Sequence, residues 1–272
     1  VENKLATKGF IKNEIFEDNN LLNKKEIKSL ENNYILKDDI IIDENLYLES
    51  NKILNVQKGV EIYFIKDVTI YSEGSIFFNG TQEEPIVVYS DDNIGSIILS
   101  NNNFKLNNVI FKNLSYPKEK GKILYGGINI INSDVEIIDT QIASSNSEDA
   151  INIISSNSYI RNLKLKNIKA DAIDIDFGNL NFTNITCENV DNDCLDISGA
   201  NVSGNFIEGS YINDKGLSFG ENAKGEISHL NFKNSKLGVA VKDGSSLKLS
   251  RYQFKNNEFD VVVFNKKKEY GE

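Results

Sequence analysis

The chain has no methionine and no tryptophan, one histidine, two prolines and two cysteines in 272 residues. A single histidine, His229, excludes multi-histidine metal centres, and two cysteines without metal-ligand spacing exclude cysteine-based ones. No serine stands in an elbow motif, which removes the Ser-His-Asp hydrolases. The cysteines, Cys187 and Cys194, allow at most one bridge. Cys187 falls where Leu165 stands one repeat earlier, so a buried thiol is expected there rather than a disulfide. No stretch is apolar for long enough to span a bilayer. Positive charge is also short: 30 Lys plus Arg face 40 Asp plus Glu, a net charge of −10. Nucleic acid is excluded as a partner, because its binding depends on cationic contacts to phosphate. With Val1 in place of an initiator, the start reads as a processing or fragment boundary, and an upstream domain of the same protein is an expected partner.

What is present is a repeat. Asp149-Ala150-Ile151-Asn152-Ile153 returns as Asp171-Ala172-Ile173-Asp174-Ile175 and as Asp193-Cys194-Leu195-Asp196-Ile197. Weaker copies stand at Lys215-Gly216-Leu217-Ser218-Phe219 and Leu237-Gly238-Val239-Ala240-Val241. A fixed period of this size describes a stack in which each repeat is one coil. Apolar residues alternate with others inside each phrase, which is the period of a strand. The expected fold is all-β: a single-stranded right-handed parallel β-helix of about ten coils with a short N-terminal cap or linker.

If Ile151, Ile173, Leu195, Leu217 and Val239 point inward, then Asn152, Asp174, Asp196, Ser218 and Ala240 point outward in a column. Parallel neighbours lie roughly 4.8 Å apart, so Asp174 and Asp196 become stacked carboxylates, with Asp171 and Asp193 a second pair. Like charges directly opposite destabilise a sheet. Two counter-charges are open to this patch: a bound Ca²⁺ on Asp171, Asp174, Asp193 and Asp196, which would be the only cofactor, or Lys215 and Lys242 from the next coils.

Along the chain, residues 1–35 lack the repeat and read as a linker or helical cap, with an amphipathic helix expected over Phe16–Leu30. Residues 36–272 read as the β-helix, with strand signals from Tyr34 onward. Asn113, Asn167, Asn189, Asn234 and Asn256 each stand two residues after a core-type residue. Asn tolerates left-handed corners, and stacked amides can bond one another, so these are architectural. An insertion at Ser115–Gly121 leaves the stack as a solvated loop carrying Lys118 and Lys120. The polar tail from Lys266 to Glu272 reads as a frayed or capping end.

Two resemblances follow from these residues. Lys169-Ala170-Asp171-Ala172-Ile173-Asp174, Asn192-Asp193-Cys194, Asp214-Lys215-Gly216-Leu217-Ser218-Phe219-Gly220 and Ala240-Val241-Lys242 resemble the motif series of the polygalacturonase family of pectin-lyase-like β-helix hydrolases. Asp171, Asp193 and Lys242 match that series, while Asn192, Lys215 and Ala240 depart from it. The resemblance implies catalytic carboxylates at Asp171 and Asp193. It also implies that the residue donating a proton to the leaving group is replaced by Asn192, an amide unable to do so. The segments Asp214–Glu221, Gly238–Ser245 and Lys266–Gly271 resemble β-helix regions of bacterial surface proteins that accompany a kinase-like domain of the spore-coat protein H type.

The functional expectation is a secreted or cell-surface module that binds polysaccharide through Asp174, Asp196, Lys215, Lys242 and Asn192 and lacks hydrolase activity. The alternatives are a polysaccharide hydrolase or lyase working through Asp171 and Asp193 on an acidic glycan, and a structural shaft or adhesin segment.

Overall fold

A computed structural model describes residues 24–30, 32–118 and 124–270. The repeat has one consequence that dominates the architecture: each phrase pairs in parallel with the same phrase one coil later. Ile151 aligns with Ile173, Ile173 with Leu195, Leu195 with Leu217, and Leu217 with Val239. The result is the expected parallel β-helix of about ten turns. Its hand follows from the right-handed preference of parallel crossovers. Every residue in that inner column is fully buried, as are Ile153, Ile175, Ile197 and Phe219 beside it. Each buried aliphatic side chain contributes about 1.5–3 kcal/mol, and the columns fuse into one continuous core along the axis.

The corners are made by residues in the left-handed region. Asn113, Asn167, Asn189, Asn234 and Asn256 have φ of 56°, 56°, 58°, 53° and 56°. Amide bonds run along the axis, as from Asn189 Nδ2 to Asn167 Oδ1 at 2.8 Å and from Asn256 Nδ2 to Asn234 Oδ1 at 3.2 Å. The architectural reading of these asparagines therefore holds.

Two expectations are corrected. The part of the expected Phe16–Leu30 helix that lies in the described residues is not helical. Ile27–Leu30 is a strand, antiparallel to Asn33–Leu36, and the buried Ile27 aligns with Leu36 at the first coil. Closing the open end of the sheet outweighs the weak helical periodicity; the rest of that segment lies outside the described residues. Cys187 is likewise not a free thiol: it is bonded to Cys194, with the Cα atoms 5.9 Å apart. Cys187 faces inward from the strand Ile185–Val190, and the turn that follows folds Cys194 back against it. One coil earlier the same two positions hold Leu165 and Ala172, and one coil later Gly209 and Gly216. The space left by those glycines is taken by the ring of Phe232, which a Cβ at either would meet within 2.7 Å. The corner is thus filled by a different solution in each coil.

The insertion begins at Ser115, where Lys118 Nζ pairs with Asp67 at 2.7 Å; Lys120 lies outside the described residues. The tail is pinned rather than frayed as far as Tyr270. Lys266 and Lys267 donate their backbone N–H groups to Asp243 Oδ1 at 2.6 and 2.7 Å, and Tyr270 Oη donates to Glu221 at 2.9 Å.

Replacing Ile173 by Asn should cost about 3–5 kcal/mol in a denaturant titration, since it removes core contacts and buries an amide without partners. Replacing Cys187 and Cys194 together by Ala should cost about 2.5 kcal/mol, the chain-entropy value for so short a loop.

Candidate functional site

On the outer side of the repeated phrase, the sequence builds three parallel columns. The leading column runs Asp149, Asp171, Asp193, Lys215. Its side chains do structural work. Asp171 Oδ1 accepts the backbone N–H of Asp193 and the side-chain amide of Asn192, both at 2.7 Å. Asp193 Oδ1 accepts the backbone N–H of Lys215 at 2.9 Å, and both Asp193 oxygens receive Lys215 Nζ at 3.2 Å. Lys215 also pairs with Asp214, which in turn holds Lys236 at 3.1 Å. Asp193 is only 2% exposed. The residues proposed for catalysis thus tie each coil to the next.

The middle column runs Asn152, Asp174, Asp196, Ser218, Ala240. Its expected exposure to water is corrected: Asn152, Ser218 and Ala240 are buried, and Asp174 and Asp196 are half-buried. Part of the cover is Lys242. Its aliphatic stem crosses Gly220, where a Cβ would sit 2.7 Å from Lys242 Cε, and its amine ends 3.9 Å from Asp196 Oδ1. Long cationic side chains commonly cover surface in this way while the charge stays at the rim. Asn152 Nδ2 donates to Asp174 Oδ2 at 3.0 Å. Two atoms of the column have no hydrogen-bonding partner although both are shut off from solvent: Asp196 Oδ1 and Ser218 Oγ.

The trailing column carries Asp176, Ser198, Gly220 and Lys242. Beside it Phe177 adopts φ of 62° and lays its ring over Gly199, with 38% of the residue exposed at the margin of the carboxyl face. Asp149 and Asp176 belong to the same acidic group and were not singled out by sequence reasoning. The signal for both was present, since they occupy repeat positions of residues that were.

Crowding and burial together change the charge on this face. Burial, with Asp171 and Glu148 alongside, pushes the Asp149 carboxyl up to about 8. Burial raises Asp193 to about 7 against the pull of Lys215. It raises Asp171 to about 6 despite the two donors that favour its ionised form. Asp174 and Asp176 are also held above the ordinary carboxyl range, first by burial, then by Asp176 acting on Asp174 and by Glu221 acting on Asp176. For Lys215 burial opposes the charge, but Asp193 and Asp214 outweigh it and its pKa rises. The counter-charge within the chain is therefore Lys215 on the leading column and Lys242 on the middle one. Among the described residues, no group of three or more His, Cys, Asp or Glu side chains is arranged to hold a metal ion.

No known protein family and no curated protein matches the chain. Solved structures similar to it include the following two. The periplasmic alginate epimerase AlgG is 7% identical over 88% of this chain and 80% of its own, with a TM-score of 0.34. The Streptococcus pneumoniae surface protein and adhesin PfbA is 12% identical over 86% of this chain and 92% of its own, with a TM-score of 0.26. Likeness of this size assigns no activity to the chain, and it gives no support to a kinase-like companion domain.

The buried carboxyl of Asp149 binds its proton more tightly in the folded chain than in the unfolded one. Its contribution to stability is therefore complete below the ordinary carboxyl range and is lost as pH rises from about 4 to about 8, whereas Asp214, Glu221 and Asp243, whose pKa values are lowered, contribute in the opposite sense only below about 4. Thermal melts across that range should show the decline, and Asp149→Asn, which mimics the protonated acid, should make it shallower.

Proposed function

We propose that the chain is an extracellular or cell-surface β-helix module that binds polysaccharide across the carboxyl-bearing face and does not hydrolyse it. The observation that carries this reading is the pair Asp196 Oδ1 and Ser218 Oγ on adjacent coils, buried and without a hydrogen-bond partner among the described residues, with Lys242 Nζ 3.9 Å from the carboxylate as its only counter-charge there. A buried polar atom left unpaired costs about 1–3 kcal/mol, and a hydroxyl-rich ligand would satisfy both once the side chain of Lys242, which covers them in part, swings aside. The exposed Phe177 ring at the margin offers an apolar face for a sugar ring. With carboxyls such as Asp149 protonated near neutral pH, the face can both donate and accept hydrogen bonds. Lys215 and Lys242 supply its counter-charge, so binding is expected to persist without Ca²⁺. The buried Cys187–Cys194 bridge supports an oxidising compartment, where such bonds form and persist.

A second reading is favoured by one observation. Asn192 donates to Asp171 and has no proton to give a leaving group, but Asp174, raised by burial, is a proton donor on the same face. It stands one coil from Asp196, and stacked strands are about 4.8 Å apart. That is close to the roughly 5–5.5 Å carboxyl spacing of retaining glycosidases.

Oligosaccharide arrays probed with the wild type and with Asp196→Ala and Ser218→Ala separate these readings. Binding should weaken by about tenfold in either variant, the equivalent of one lost hydrogen bond. Equal retention by all three proteins would remove the binding face. Release of new reducing ends by the wild type, abolished in Asp174→Asn, would replace binding by hydrolysis.

A further inference from the structure

In the coils from Asp149 onward, one corner is held by a single residue in the left-handed region. Asn167, Asn189, Asn234 and Asn256 fill it in their coils, each within a few degrees of the others. The coil between Asn189 and Asn234 puts Tyr211 there, at φ of 58°. Asn adopts this conformation readily because its short side chain bonds nearby groups; a bulky aromatic residue does not. Tyr211 also interrupts the chain of amide bonds that joins Asn167 to Asn189 and Asn234 to Asn256. Its ring is not recruited to the core, since the residue is 57% exposed. A residue kept in an unfavourable backbone conformation, at the loss of a stabilising ladder and with nothing gained in packing, points to a role outside folding.

Its surroundings indicate what that role is. Tyr211 lines a shallow concavity of about 550 Å³ on the outer surface of the stack, together with Glu188, Glu208, Asn231, Lys233, Lys255 and Asn256. Lys233 and Lys255 are direct neighbours on adjacent strands, and both are exposed. Elsewhere on the surface, axial neighbours of this kind pair opposite charges: Lys166 with Glu188 at 3.1 Å, and Lys248 with Glu226 at 3.0 Å. Among the described residues neither Lys233 nor Lys255 forms an ion pair, and like charges opposite one another weaken a sheet. On a chain of net charge −10, two stacked ammonium groups without an ion pair stand beside an exposed ring; of the two carboxylates in the same lining, Glu188 is held by Lys166, and Glu208 is the other.

We propose that the corner at Tyr211 is a second saccharide-binding site, separate from the carboxyl face, that takes a negatively charged sugar unit. The ring of Tyr211 stacks on the apolar face of the sugar. Lys233 and Lys255 share its carboxylate or sulfate group, and the amides of Asn231 and Asn256 meet its hydroxyls. An acidic peptide fits less well, because peptides in extended form dock on free strand edges. Asn201–Ile212, which carries Tyr211, is paired on both sides, with Ile185–Val190 and with Lys224–Lys233; the edge left unpaired among the described residues is that of Ser246–Lys255, two coils from Tyr211. None of the carboxyl-face residues lines the concavity, so the two sites stand or fall separately.

Calorimetry with an oligogalacturonate, a sulfated oligosaccharide and an uncharged malto-oligosaccharide tests the proposal on the whole chain. The wild type should bind at least one of the acidic ligands, with affinity that falls as salt is added, and should bind the uncharged one much more weakly. Whichever acidic ligand binds identifies the anionic group as carboxylate or sulfate. Tyr211→Asn should lose about tenfold in affinity while its melting temperature stays level or rises, because the amide ladder and a compatible corner residue are restored. Lys233→Ala/Lys255→Ala should lose binding and its salt dependence together, and Lys248→Ala, which removes an exposed lysine outside both sites, should bind the acidic ligand as the wild type does. Unchanged binding in Tyr211→Asn, equal affinity for the uncharged ligand, no binding of either acidic ligand, or an equal loss of binding in Lys248→Ala would each overturn it.

Discussion

From Asp149 to Val241 the repeated phrase of each coil is paired with that of the next at a fixed offset of 22 residues, and that register forces like to meet like. Asn152 lies on Asp174, Asp174 on Asp196, and Asp196 on Ser218 because the backbone ladder permits no other neighbours. A one-residue slip would turn the whole apolar set outward. The register is therefore set by the core, and the outer face must accept whatever stacking the core imposes.

For apolar and amide side chains, this imposed stacking is favourable. Isoleucines pack on isoleucines, and asparagine amides bond the amides one coil away. For carboxylates it is not. The structure meets the difficulty in three ways on one face. Asp171 and Asp193 become acceptors for the backbone of the following coil, so their charge helps to hold the stack together. Lys215 and Lys242 reach back across coils to Asp193 and Asp196. The remaining repulsion is relieved by protonation, as the raised pKa of Asp149 shows. A face that the sequence presents as densely anionic is therefore a mixed array of donors and acceptors near neutral pH.

Where the repeat is broken, the constraint is released and individual chemistry becomes possible. Ser218 takes a carboxylate's place and leaves an unpartnered hydroxyl beside Asp196. Tyr211 takes an asparagine's place and turns a ring to solvent. Cys187 and Cys194 replace an ordinary apolar pair and become a covalent link. Departures from periodicity, more than the periodic residues, mark the positions where folding alone does not account for the side chain.

The amino-acid sequence by itself determined the parallel β-helix, its inner column and its asparagine corners. Those depend on a period and an alternation, and the period can be read from Asp149, Asp171 and Asp193 without coordinates. It also brought Asp171, Asp174, Asp193 and Asp196 onto one face, since register follows from the repeat. The tertiary structure decided what periodicity cannot express. Cys187 and Cys194 meet because of a corner angle, not a spacing. Ile27–Leu30 is a strand because an open sheet end needs a partner, which overrides a weak helical pattern. How far Asp196 is covered depends on where Lys242 lies, and that contact joins residues two coils apart whose approach only the folded chain creates.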